Sequence, residues 1–308
     1  MIINTGQRTD IPAFYAEWFA RRLQEGTVCV RNPFDHAQVS RYRLSPDTVD
    51  LMVFCTKDPS GMFPYMDLLK DYEQYWFVTV TPYGREIERN VPEKRKVLND
   101  FRILSEIVGS RRMCWRYDPI LLNERYTKEY HLKVFEKMAK ELKGSTETVV
   151  ISFLDLYQKV KRNFPEAKEV SREDSLYLGE RMIRIAEENG MILKTCAEGD
   201  LLAPYGADCR GCMTLSMCEE LLGTSLKMPY RKPAREMCSC ILTSDIGAYD
   251  SCGHLCRYCY ANSDEEAVKR NMRRHDPASP FLIGNNEEGD RIHDVVSTSW
   301  KEREIRLF

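Results

Sequence analysis

The sequence predicts an α/β fold, a full or partial (β/α) barrel, with an open doubly wound sheet as the alternative. Three observations predict it. Short apolar runs recur along the first two thirds of the 308-residue chain, amphipathic stretches with helix caps fall between them, and polar residues gather where the apolar runs end. Repeated β-α units of this kind build a parallel sheet with helices packed outside, and in either fold the site lies at the C-terminal ends of the strands.

Strands are expected at 1–5 (MIINT), 49–55 (VDLMVFC), 75–81 (YWFVTVT), 112–117 (RMCWRY), 147–153 (ETVVISF) and 191–196 (MILKTC). Each is rich in β-branched and aromatic residues, as strands buried on both faces are. One helix is expected after Asp10 as N-cap, with Pro12 in its first turn and Gly26 at its end. A second begins near Pro92, carries the stripe Val97, Phe101, Leu104, Val108, and stops at Gly109. A third runs from Thr127 to about Leu142, a fourth from Ser171 to Gly190, and a short one covers 264–273. The polar groups at the strand ends are Arg8 and Asp10; Thr56, Lys57 and Asp58; Arg116 and Asp118; Asp155; and Cys196 and Glu198. For any one of them, capping of the next helix is the competing reading.

With 45 basic and 47 acidic residues the net charge is −2, a balance that asks for neither nucleic acid nor an anionic membrane. No apolar run approaches the roughly 18 residues that span a bilayer, and MIINTGQRTD lacks a signal peptide's basic and apolar regions, so a cytoplasmic protein is expected. Twelve cysteines then point to metal or reactivity rather than disulfides. Cys29, Cys55 and Cys114 sit in apolar segments and read as ordinary buried cysteines, whereas nine fall between Cys196 and Cys259.

Residues 250–262 read DSCGHLCRYCYAN, with the spacing Cys252-x3-Cys256-x2-Cys259. Three thiolates on a short loop can each hold one iron of a cubane and leave the fourth iron open. Zinc is the alternative, with His254 or Cys240 as a fourth ligand. The motif resembles the CxxxCxφC hallmark of the radical S-adenosylmethionine (SAM) superfamily, with Tyr258 as the aromatic at φ. That resemblance implies a [4Fe–4S] cluster, SAM chelated by the open iron, Tyr258 near the adenine, and an electron donor such as ferredoxin or flavodoxin. Radical SAM enzymes carry the motif after their first barrel strand. Here it follows SDIGAYDSC, so the resemblance implies a circularly permuted radical SAM barrel with the cluster strand (244–249) at the C-terminal end, beside MIINT. Within GQRTD, Arg8 and Asp10 would hold the place of the SAM-binding motif.

RTDIPAFYAEWF, VRNPF, TKDP, RYDPI, TCAE and DIGAYDSCGHLCRYCYAN together resemble the family called domain of unknown function 1848, across residues 8–262. TKDP and RYDPI are more weakly similar to spore photoproduct lyases, which repair thymine lesions in DNA. The first resemblance implies a second metal site at Cys196, Cys212, Cys238 and Cys240, an auxiliary [4Fe–4S] cluster or a zinc, with Cys209 and Cys218 as substitutes for Cys212. Lys57, Arg116, Asp118 and Glu198 are the candidates for positioning cofactor or substrate and for proton transfer.

The expected organisation is barrel units over 1–196, a cysteine-rich region completing the barrel over 197–262, and a tail or lid over 263–308. The leading function is a radical SAM enzyme acting on an unidentified small-molecule or nucleotide-type substrate. A DNA-repair lyase using VKRNMRR (268–274) and RKPAR (231–235) to touch phosphates, and a non-catalytic iron–sulfur or zinc protein, are the alternatives.

Overall fold

The computed structural model describes residues 1–229, 239–242 and 244–302. Strand β1 (Ile2–Asn4) leads through GQRTD to α1 (Ile11–Phe14) and α2 (Ala16–Glu25). The helix expected from Asp10 to Gly26 is thus broken at Tyr15, whose φ of −135° leaves the helical region and whose hydroxyl donates to Ser251 O at 2.6 Å. A hairpin, β2 (Thr27–Arg31) and β3 (Gln38–Arg43), precedes β4 (Leu51–Thr56), a 3-10 segment (Pro59–Leu69) and β5 (Gln74–Thr79). Then follow α3 (Lys94–Val108), β6 (Met113–Ile120), α4 (Lys128–Leu142), β7 (Thr148–Phe153), α5 (Gln158–Asn163), α6 (Arg172–Glu188) and β8 (Ile192–Thr195). The later elements are α7 (Leu215–Leu222), β9 (Ser244–Asp245), α8 (Glu265–Arg273) and β10 (Arg291–Asp294).

Seven strands form one sheet in the order β8-β7-β6-β5-β4-β1-β9, every neighbouring pair parallel. The last strand of this sheet in the chain, β9, lies beside its first, β1, with Ile3 opposite Ser244 and Asn4 opposite Asp245. The order steps along the sheet without the reversal of a doubly wound fold. Among the described residues β8 and β9 are both edges, so the wall is open and no closed barrel forms. Of the full or partial barrel expected, the structure has an open parallel wall, and among the described residues β9 offers only Ser244–Asp245 at that edge, whereas closing a sheet needs matched stagger around its whole circumference.

Alternation along the strands divides the core. Ile3, Phe54, Trp76, Trp115, Val149 and Leu193 pack with Phe19, Phe101, Phe135 and Met182 from the helices. Their chain neighbours Ile2, Val53, Phe77, Cys114 and Val150 face the other way, against Cys212, Met213, Cys218, Leu226 and Leu242. Helices therefore cover one face, and the cysteine-rich segment fills the other. A second, three-stranded sheet, β10-β3-β2, joins the hairpin to the tail.

Among the described residues, the tail does not line the mouth of the wall. After α8, Trp18 Nε1 donates to Ser279 O at 2.9 Å, Cys29 N–H to Pro280 O at 2.9 Å, β10 pairs with β3, and Trp300 N–H donates to Asp50 Oδ2 at 2.8 Å. Asp50 stands at the N-terminal end of β4, so the described part of the tail, to residue 302, runs to the side of the wall opposite the Cys252–Cys259 loop. No helix among the described residues is long and apolar enough to cross a membrane.

Candidate functional site

The C-terminal strand ends surround a cavity of about 290 Å³. Its wall includes Arg8, Asp10, Lys57, Arg116, Asp118 and Tyr258, together with the thiols of Cys55, Cys196, Cys212, Cys240, Cys252, Cys256 and Cys259. Among the described residues none after Ala261 lines it. The two cysteine sets expected from the sequence thus open onto one space.

The Cys252–Cys259 loop is held from both sides. Asp10, at the end of the β1 loop, caps α1 through Oδ1, which accepts from Ala13 N–H at 3.0 Å. Its Oδ2 accepts from Lys57 N–H at 2.7 Å and from His254 Nε2 at 2.8 Å. His254 sits inside the loop, buried, and its Nδ1 has no protein partner. From the other side, the segment after β5 forms a bridge between Glu88 and Cys256. There Arg257 N–H donates to Ile87 O at 2.9 Å and Asn90 N–H to His254 O at 3.0 Å. Leu255, with φ of 52°, makes the turn between the first two cysteines, and Ala261 N–H points at Cys259 Sγ from 3.3 Å.

Each charged side chain in the wall is paired. Arg8 Nε donates to Asp245 Oδ1 at 2.9 Å. Lys57 Nζ donates to Glu88 Oε1 at 2.8 Å. Arg116 Nε donates to Asp118 Oδ2 at 3.0 Å, and its guanidinium also lies 3.9 Å from Cys196 Sγ. Burial alone would raise the Glu88 carboxyl, but the ammonium groups of Lys57 and Lys94 outweigh it and hold the group well below the usual carboxylate range. Burial would likewise lower the Arg116 guanidinium, and the Asp118 carboxylate overrides it. Burial pushes the Cys256 thiol up to about 12 despite the pull of Lys57, so a metal bound there must displace a proton.

In the second set, Cys212 Sγ lies 3.8 Å from Cys196 Sγ and 3.9 Å from Cys240 Sγ. Cys238 and the basic stretch 231–235 lie outside the described residues. Cys218 points to Met213 Sδ at 3.3 Å, away from this group. No three His, Cys, Asp or Glu side chains among the described residues are grouped to hold a single metal ion. Glu198 lies outside the cavity wall, accepting from Phe153 N–H at 2.9 Å at the end of β7. The second basic stretch is on α8, where Lys269 pairs with Glu265 and Glu266, and Arg274 beyond it with Glu287. Glu88 and Asp245 escaped the sequence reading. The segment 85–94 carries three acids, Glu86, Glu88 and Glu93, among Arg85, Arg89 and Lys94, so nothing in the sequence singles out Glu88.

The family model described as domain of unknown function (DUF1848) matches residues 2–261. That span takes in the whole seven-stranded sheet and the Cys252–Cys259 loop. No curated protein matches the chain. Among solved structures, one similar chain is the carboxyl transferase domain of Rhizobium etli pyruvate carboxylase. It is 11% identical, with 94% of this chain and 49% of that chain covered and a TM-score of 0.27. This chain spans about half the length of that structure, and the likeness is too distant to bear on fold or function.

Proposed function

We propose that this chain, which belongs to the domain of unknown function 1848 family, is an iron–sulfur enzyme of radical SAM type. The observation that carries the reading is the Cys252-x3-Cys256-x2-Cys259 loop with Tyr258, its three thiols opening onto one cavity at the ends of parallel strands. The pairing of β9 with β1 supports the permuted arrangement, with the strand before the cluster loop as the first of the wall. A cubane spreads its thiolates over separate irons.

The residues present suit such a cluster. Cys252, Cys256 and Cys259 would hold it, the Ala261 N–H supports the charge of one thiolate, and the loop is fastened by Asp10 and by residues 87–90. When bound, cluster and SAM supply a 5′-deoxyadenosyl radical for hydrogen abstraction. Tyr258, anchored through its hydroxyl on Glu88, gives one wall a fixed aromatic face. Arg8, Lys57 and Arg116, each held by a carboxylate, orient anionic groups of cofactor or substrate. The substrate is a small-molecule or nucleotide-type compound, and the electron donor a ferredoxin or flavodoxin.

The reading extends to a second metal centre at Cys196, Cys212, Cys238 and Cys240. Its support is the 3.8 and 3.9 Å sulfur spacing. Thiolates bound at about 2.3 Å around one tetrahedral ion stand about 3.8 Å apart. Zinc suits those edges, and an auxiliary [4Fe–4S] cluster is the other occupant.

Anaerobic reconstitution with iron and sulfide tests both centres. The Cys252/Cys256/Cys259 triple Ala variant should lose about four irons relative to wild type and all conversion of SAM to 5′-deoxyadenosine and methionine. The metal that remains in it identifies the second occupant. Stoichiometric zinc without iron in the reconstituted wild-type protein refutes the iron–sulfur reading.

A further inference from the structure

A buried ion cluster lies behind the Cys256 side of the cavity. Glu88, 1% exposed, accepts from Lys57 Nζ at 2.8 Å and Thr81 Oγ1 at 2.7 Å, and also from Lys94 Nζ and the Tyr258 hydroxyl. One carboxylate thus faces two ammonium groups, and the group carries one positive charge in excess. Lys57 Nζ stands 5.6 Å from the centre of the Tyr258 ring and lines the cavity. The backbone of Glu88 is bridged to Cys256, and Asn90 Nδ2 donates to Gly253 O at 2.8 Å. The same short segment therefore fastens the cluster loop and places a net positive charge beside it.

We infer that Glu88, Lys57 and Lys94 set the reduction potential of the metal centre held by Cys252, Cys256 and Cys259. Glu88 is a positioning residue that fixes both Tyr258 and the excess positive charge next to Cys256. The inference rests on the iron–sulfur reading above. A cluster bound by three thiolates is anionic, and one-electron reduction adds a further negative charge, so a buried positive charge nearby favours the reduced form. In that low-dielectric wall each lysine raises the potential and Glu88 lowers it. The local charge is +1 in the wild type, 0 in Lys57→Met or Lys94→Met, +2 in Glu88→Gln, and +1 again in the Lys57→Met/Glu88→Gln double variant.

Redox titration of the reconstituted proteins, read by the EPR signal of the reduced cluster, tests the inference alongside iron content. Lys57→Met and Lys94→Met should each shift the equilibrium about tenfold towards the oxidised cluster, about 59 mV for a one-electron couple, and Glu88→Gln about as far the other way. The double variant should return close to wild type. A purely structural role would lower cluster content in all the variants and give no alternation of sign. Lys94→Met carries the test where Lys57→Met or Glu88→Gln does not fold. Variants that hold a full cluster but shift in one common direction, or do not shift, overturn the inference and leave the iron–sulfur reading standing. A wild-type protein that takes up no iron defeats that reading itself.

Discussion

Substitution of Asp10 separates two roles that one carboxylate combines. As a helix cap alone, Asp10 needs only Oδ1 and its bond to Ala13 N–H, and Asn is as good a cap as Asp. As the hub of the cluster loop it also needs Oδ2, which takes the Lys57 N–H and His254 Nε2 in a site only 5% exposed. Asp10→Asn keeps the cap but turns an amide nitrogen towards the Lys57 N–H. It also forces His254 either to lose its partner or to move its proton to Nδ1, where no protein atom accepts it. Each buried donor left unpaired costs about 1–3 kcal/mol, so Asp10→Asn should destabilise by about 2–4 kcal/mol and Asp10→Ala by about 1 kcal/mol more. Anaerobic urea unfolding of the reduced protein measures both. Asp10→Asn within about 0.5 kcal/mol of wild type would return Asp10 to a simple cap and remove the link between α1, β4 and the cluster loop.

Three further outcomes follow from single sites. His131, fully buried, binds Tyr117 OH through Nδ1 at 2.8 Å and Leu121 O through Nε2 at 2.8 Å, and burial pushes it down from 6.5 to about 4. The unfolded chain takes up this proton as pH falls through 6.5 and the folded protein does not until about 4, so the stability is fully present above 6.5 and is lost across that window. Urea unfolding should therefore show wild type losing about 2 kcal/mol relative to His131→Gln between about pH 7.5 and pH 5, and parallel curves would contradict it. At Gly6 an added Cβ would stand 2.4 Å from Cys55 Cβ and 2.4 Å from Cys55 O. Because backbone cannot give way there, Gly6→Ala should cost about 3 kcal/mol in the same assay and lower cluster content by parting β1 from β4. Arg116→Met leaves the largely buried Asp118 without its ion pair, with Ser152 as its side-chain hydrogen-bond partner among the described residues, at a cost of about 3 kcal/mol in unfolding.

The parallel wall was legible because its evidence is local. Each strand is a short apolar run, and the helix starts at Thr127 and Ser171 and the stop at Gly109 fall where expected. Even the pairing of the last strand with the first followed from placing the cysteine loop in its usual context. The second sheet was not legible. TVCVR and QVSRYR have weak alternation, and their third partner, RIHD, comes from more than 240 residues away. Pairing across such a separation leaves no periodic trace in any one window. The tail's route was not legible for the same reason, since it is held by the β10–β3 pairing and by hydrogen bonds to Trp18, Cys29 and Asp50, all far away in sequence. Within the site, the thiols announced themselves by spacing. Glu88 did not, because a buried carboxylate has no pattern of its own and is recognised only through its partners.

Those partners bear on what the cavity is for. Arg8 with Asp245, Lys57 with Glu88, Arg116 with Asp118 and His254 with Asp10 are four largely buried pairs around one small space. Removing the three Arg or Lys ion pairs among them from water costs several kcal/mol per ion, and well-packed apolar residues would serve stability at least as well. Capping explains Asp10 in part and none of the other three. A ring of oriented charges facing two sets of thiols is what a site needs when it must hold anionic groups in fixed places while excluding solvent. Choosing between a structural ion pair and a functional residue at each strand end was therefore a false choice. The pairing fixes each side chain's direction, and that fixed direction is what the strand end would contribute to the chemistry proposed at the Cys252–Cys259 loop.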